Sequence, residues 1–171
     1  MNKYLFVEGY YDEVFVKTIS KQLQIKCAIT IVKYSSMPDA KVVDYLSSLI
    51  SQKIQFLLIA DRDISQYNSI NDRENELIRR YKHVNSGNYV LANPEIEGWY
   101  IAGLNNESAK KLKLKNLPLP DDCTKEKFIA TLPYRHDETP IRTDMLELYD
   151  INFAKTRSSS FRKFVSIIEN W

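Results

Sequence analysis

Glycine is scarce in this chain, with four among 171 residues, and cysteine and histidine are scarcer, with two of each. With so few glycines, no G-x-x-x-x-G-K-[ST] nucleotide loop occurs. Cys27 and Cys123 can build neither a disulfide framework nor a four-cysteine zinc site. His83 and His136 leave little for a histidine-based metal centre. No apolar run approaches the roughly 18 to 20 residues that span a bilayer, so no membrane partner is expected. The opening Met1-Asn2-Lys3-Tyr4-Leu5-Phe6-Val7-Glu8 places an acid where a secretory signal needs an unbroken apolar stretch, and the expected compartment is the cytoplasm. A net charge of +2 does not by itself name nucleic acid as a partner.

What is present suits one globular domain. A hydrophobic fraction of 44% fills a single core, and the charged fraction of 27% is too low for a disordered polyelectrolyte. Basic residues gather locally in the second half of the chain. Lys110, Lys111, Lys113 and Lys115 form one run, and the acid-free stretch Ile151 to Ile168 carries Lys155, Arg157, Arg162 and Lys163. Such runs can follow a phosphate backbone, although either one taken alone is more often a solvated helix or loop face.

Strand and helix patterns alternate. Tyr4 to Val7 reads as a buried strand ending at Glu8-Gly9, followed by a helix from about Asp12 to Gln24. Cys27 to Val32 is a second strand, and Ser36-Met37-Pro38-Asp39 turns into a helix carrying Val42, Val43, Leu46 and Ile50. Ile54 to Ala60 is the most apolar strand, and its run Phe56-Leu57-Leu58-Ile59, which has no polar interruption, places it centrally in the sheet with both faces covered. A charged surface helix follows from about Asp72 to Lys82, then a short strand, Tyr89 to Ala92. Asn93-Pro94 predicts a helix start with Pro at its first position, opening Glu95 to Ala102. From Asn105 to Arg142 the pattern weakens, with Pro118, Pro120, Pro133 and Pro140 as breaks and a short helix at Lys125 to Ala130. Thr143 to Tyr149 and Ser160 to Ile168 close the chain as amphipathic helices. The implied architecture is α/β: a mostly parallel sheet of about four strands covered by helices, with residues 1–104 as its core and 105–171 as a small helical extension of the same domain.

Parallel strands bring acids to one edge. Glu8 follows strand one, and Asp61 and Asp63 follow strand three, where the period of two would let both point the same way. Asp12 stands a turn beyond Glu8, and Glu95 and Glu97 open the helix after strand four. Six carboxylates so placed would repel one another unless a cation neutralised them. Oxygen-only donors favour magnesium, manganese or calcium over zinc, and two ions about 4 Å apart would activate water and stabilise the leaving oxygen of a phosphodiester. The ordinary alternative for Asp12 and Glu95 is helix capping.

Tyr4-Leu5-Phe6-Val7-Glu8-Gly9-Tyr10-Tyr11-Asp12 resembles the E-G-x-x-D opening of a Toprim domain, and Leu58-Ile59-Ala60-Asp61-Arg62-Asp63 resembles its D-x-D strand end. Asn93-Pro94-Glu95-Ile96-Glu97-Gly98-Trp99-Tyr100 is similar to the E-I-E-N-Y segment of the OLD (overcoming lysogenization defect) nucleases. The resemblance covers roughly residues 3 to 103. It implies a Rossmann-like Toprim fold and metal binding by Glu8, Asp12, Asp61, Asp63 and Glu97, with Glu95 as a second-tier ligand and Glu8 also a general acid or base. It further implies a downstream basic residue, for which Arg142 and Lys155 both stand as candidates.

Two departures stand out. Gly98 replaces the family's usual Asn, and the ATPase domain that OLD proteins carry is missing, which points to a stand-alone module or a separate ATPase subunit. The expected function is a Mg2+- or Mn2+-dependent nuclease hydrolysing phosphodiester bonds of DNA or RNA. The alternative is a non-catalytic Toprim interaction module in a DNA-repair or phage-defence complex. Tyr10 and Tyr11 could stack on bases but are more often packing residues, and Trp99 is expected in the core.

Overall fold

The computed structural model describes residues 2–133 and 138–171; His136 lies outside them. The chain forms two compact units, Met1–Leu91 with Ile167–Trp171, and Ala92–Ser166. The division falls ahead of residue 104, the boundary suggested by the sequence, so the segment carrying Glu95 and Glu97 belongs to the second unit.

In the first unit the order is β1 (Lys3–Val7), α1 (Tyr10–Gln22), β2 (Ile29–Lys33), α2 (Asp39–Ser51), β3 (Phe56–Asp61), α3 (Ile70–Arg80) and β4 (Tyr89–Ala92), whose last residue opens the second unit. The strands lie in the order β2-β1-β3-β4 and all run parallel. Leu5 pairs with Ile31 on one side and Leu57 on the other. The step from β1 to β2 goes one way across the sheet, and the steps to β3 and β4 go the other. Right-handed crossovers therefore put α1 on one face and α2 and α3 on the opposite one. Burial agrees with this. Phe6, Leu58, Ala60 and Leu91 share a buried cluster with Val42, Leu46 and Leu49 of α2 and Leu77 of α3. The alternate residues Leu5, Val7, Leu57 and Ile59 are buried too, and the pleat turns them to the other face.

Two details differ from the sequence expectation. Leu49 completes the inner stripe of α2 at 2% exposure, whereas Ile50 is 44% exposed, because positions 42, 46 and 49 keep the i, i+4, i+7 line and 50 steps off it. Helix α3 starts at Ile70 under a capping box in which Ser69 and Asp72 exchange hydrogen bonds of 3.1 and 3.0 Å.

The second unit is helical: α4 (Ile96–Ala102), α5 (Asn106–Lys111), a 3-10 turn at Pro120–Asp122, α6 (Lys125–Thr131), α7 (Thr139–Glu147), α8 (Ile151–Arg157) and the start of α9 (Ser159–Glu169). Every residue of α4 is buried. Its N-cap is Glu95, and Pro94, joined to Asn93 by a cis peptide, sits outside the helix rather than at its first position. Trp99 stacks on Phe164 at 5.2 Å between ring centres, and its indole N–H donates to Ser160 Oγ at 2.8 Å. Asn105, Thr124 and Asp150 cap α5, α6 and α8 with their side chains. Pro140 does not break a helix but sits in the first turn of α7, where its missing N–H costs nothing. No helix among the described residues is long and apolar enough to cross a membrane.

Candidate functional site

In the first unit, the chain leaves β1 toward β2 on one side and leaves β3 toward β4 on the other. Two adjacent parallel strands whose connections diverge open a crevice at their carboxyl ends, the usual ligand position in such sheets. Glu8 follows β1 directly, and Asp61 is the last residue of β3.

Glu8 is the hub of this edge. Its Oε1 accepts from the Tyr34 hydroxyl at 2.9 Å and from Arg73 Nη2 at 3.2 Å, and the Asp61 amide also hydrogen-bonds its carboxylate. The Ser35 hydroxyl donates to its backbone carbonyl. Burial pushes the Glu8 carboxyl above its ordinary value of 4.5, the Tyr34 hydrogen bond and the Arg73 charge oppose that shift, and the nearby Asp12 charge adds to it. Burial, and then the charge of Glu8, push the Tyr34 phenol well above its own ordinary value.

Asp12 is buried, and its Oδ2 accepts the Glu8 and Gly9 amides, both at 3.0 Å. It closes the entry to α1 as a capping carboxylate while standing beside Glu8. Asp63 behaves differently. The strand ends at Asp61, and Asp63 has a φ of 53°, so the extended alternation that would aim both aspartates alike stops one residue too early. Asp63 Oδ1 instead accepts from Ser65 Oγ at 2.5 Å, and its carbonyl accepts the Gln66 and Tyr67 amides. Aspartate is among the residues that tolerate this left-handed backbone.

Arg73 is the residue that the sequence pattern does not reveal as part of the site. It lies on the inner face of α3, 7% exposed, in the helix expected to be a surface element. Its Nε donates to the Asp61 carbonyl at 2.9 Å, and its Nη1 to Glu76 at 2.8 Å and to the Tyr67 hydroxyl at 3.3 Å. The available signal was its spacing: Arg73 stands one turn ahead of Leu77, the buried apolar residue of the helix. Tyr34, just past β2, likewise carried no motif.

In the second unit, Glu97 Oε1 accepts from Arg142 Nη2 at 2.7 Å, both side chains being buried. Arg142 Nε and Nη2 also donate to Glu138 at 3.0 and 2.8 Å, and its guanidinium carbon lies 4.7 Å from the Tyr100 ring centre and 4.2 Å from that of Phe128. At 1% exposure, this arginine is enclosed by carboxylates and aromatic faces rather than presented to an incoming phosphate. Glu95 accepts the Lys125 amide at 2.5 Å and so serves the first turn of α6. Lys155 is half-buried on α8. Arg157 donates to the Ile101, Ala102 and Leu104 carbonyls at 3.0 to 3.3 Å, satisfying the end of α4, while Arg162 and Lys163 are exposed on α9.

The acids thus fall into two groups. Glu8, Asp12 and Asp61 are brought together in the first unit with Asp63 just beyond, and Glu97 is paired with Arg142 in the second. Among the described residues, no three His, Cys, Asp or Glu side chains stand placed to hold a metal ion. The donor set at Glu8 and Asp61 suits a hard cation that keeps most of its water and takes one or two carboxylates, the habit of magnesium, rather than a closed protein cage. Compared with known proteins, the chain matches no family model, no curated protein and no solved structure.

Proposed function

We propose that the chain is a divalent-metal-dependent nuclease that hydrolyses phosphodiester bonds of DNA or RNA at the β1–β3 edge. The observation that carries this reading is the placement of Glu8 against the Asp61 amide, with Asp12 beside it, where the sheet connections diverge. Glu8 and Asp61 are the residues that would hold Mg2+ or Mn2+, with Asp12 and Asp63 as nearby carboxylates. A bound ion there supplies Lewis acidity toward a phosphate oxygen and a more acidic water. Glu8, whose carboxyl burial shifts upward from its ordinary value, is the group at this edge proposed to take or return a proton. Tyr34 and Arg73 fix its Oε1, which keeps the carboxylate in one orientation. Arg162 and Lys163 supply exposed positive charge for the nucleic-acid backbone. A separate ATPase subunit is the partner proposed for any nucleotide control, in keeping with the lack of a G-x-x-x-x-G-K-[ST] motif in this sequence.

Plasmid, single-stranded DNA and tRNA incubated with the protein, with and without Mg2+ or Mn2+, test this directly. Metal-dependent cutting of at least one is expected. Asp61→Ala should lower it by about a hundredfold or more, the scale of losing one electrostatic stabiliser, while leaving the thermal midpoint near that of the wild type. Unchanged cutting by this variant would remove the site from the reaction.

A second reading has its own support. Both Glu8 and Glu97 already hold an arginine, as carboxylates in a structural network do, which favours a non-catalytic module that recruits a partner in a repair or defence complex. No cleavage of any substrate, together with unaltered partner capture by Asp61→Ala, would decide for it.

A further inference from the structure

The internal cation of the β1–β3 edge is held in an unusual way. Arg73 has four acceptors, and three of them do not involve Glu8: the Asp61 carbonyl at 2.9 Å, Glu76 at 2.8 Å and the Tyr67 hydroxyl at 3.3 Å. Its guanidinium carbon also lies 5.0 Å from the Tyr67 ring centre. The contact to Glu8, at 3.2 Å, is the longer of its two carboxylate contacts. Burying a guanidinium is costly unless its donors are satisfied, and here Nε and Nη1 are satisfied independently of Glu8. Arg73 is therefore anchored from α3 and the end of β3, and its remaining nitrogen, Nη2, is presented to Glu8.

We propose that Arg73 is the built-in counter-cation of this site, a positioning residue that neutralises Glu8 in the metal-free protein and competes with a divalent ion for the same carboxylate. The inference rests on the metal-dependent reading above and deepens it. Because the anchors hold Arg73 in place, an incoming ion does not displace it but meets a fixed positive charge beside its ligand. The carboxylates then stay folded toward one another without metal, and metal affinity is held down. A purely structural strut would instead support the site, so that its loss would weaken metal binding.

The test is Mn2+ binding to the full chain, read from the electron paramagnetic resonance signal of free Mn2+, with thermal midpoints measured in parallel. Arg73→Met should bind Mn2+ roughly tenfold or more tightly than the wild type, since removing one charge next to a ligand in a partly buried site is worth at least that much. Its midpoint should fall without metal and recover more than the wild type's does on saturation with Mn2+. Arg73→Lys keeps a charge and should hold wild-type affinity within about threefold, although an ammonium cannot reproduce the fork. Should Arg73→Met fail to fold, Arg73→Gln, which is neutral and can still donate to the Asp61 carbonyl, carries the same expectation. Equal or weaker binding by the neutral variants, with the wild type binding Mn2+, overturns the competition and leaves the nuclease reading standing. Mn2+ bound by neither the wild type nor any variant overturns both.

Discussion

A carboxylate's meaning in this chain depends on what donates to it. Glu97 and Arg142 form a buried pair at 2.7 Å, with Glu138 completing the fork. Removing one partner strands the other charge, so Glu97→Gln or Arg142→Met alone should cost about 3–5 kcal/mol in denaturant unfolding, and the double variant should recover much of it. Additive losses in the double variant would show that the two residues do not act as a pair. The exposed pair Asp39–Arg80 lies at the opposite limit. Hydrogen bonding from Arg80, at 2.8 and 2.9 Å, lowers the Asp39 carboxyl from its ordinary value of 3.8. A lowered native value means that the stabilisation is present above the unfolded value and lost as pH falls through the native one. Titration by carboxyl carbon NMR should find Asp39 below 3.8 in the wild type and back near it in Arg80→Gln. Because both side chains are exposed, any stability difference above that window should stay within about 1 kcal/mol.

At the scale of elements, α4 shows how close packing can make a glycine obligatory inside a helix. A Cβ at Gly98 would run into the Pro120 carbonyl oxygen, a backbone atom of the 3-10 turn that cannot swing aside as a side chain would. Asparagine at this position is thus incompatible with the packing of this unit. Gly98→Ala should destabilise by about 1–3 kcal/mol, the usual range for overpacking, even though alanine is the better helix former. A stability gain measured by thermal unfolding would mean that the turn is free to retreat. Gly103 plays a similar part at the end of α4, where a Cβ would run into the Tyr149 ring, whose hydroxyl donates to the Trp99 carbonyl at 2.7 Å. Helix α9 combines an apolar side, Phe161, Phe164 and Val165, with the exposed pair Arg162 and Lys163. This is the arrangement expected of an element that packs on one face and offers charge on the other.

For the whole molecule, the prediction concerns nucleic acid. If the exposed basic residues of α9 meet phosphates, affinity for a duplex should fall steeply with salt. The double variant Arg162→Ala/Lys163→Ala should flatten the slope of log affinity against log salt by about 2 in fluorescence anisotropy, one for each lost contact. An unchanged slope would place the nucleic acid elsewhere. Lys155 and Arg157 are less suited to this role, Lys155 because it is half-buried and Arg157 because it already serves the carbonyls that close α4.

The amino-acid sequence by itself determined the α/β alternation and the strand positions. The unbroken run Phe56-Leu57-Leu58-Ile59 reads as a buried central strand and lies in β3, and Tyr89–Ala92 stands where its apolar run placed it. Glu8 and Asp61 were legible for the same reason, since an acid directly after an apolar strand marks the sheet edge. The short helices α5 and α8 were not legible, because one or two turns carry too few apolar residues to show a period, and their Asn105 and Asp150 caps read equally well as loop residues. Only the tertiary structure decided the partners of the charges. Arg73 sits in a charged helix with only a thin apolar face, Asp63 leaves the extended path at a positive φ, and Arg142 turns inward to Glu97. Apolar periodicity is a local property that a single element displays by itself. Which cation meets which carboxylate depends on residues far apart in the chain, and nothing local to either one records the meeting.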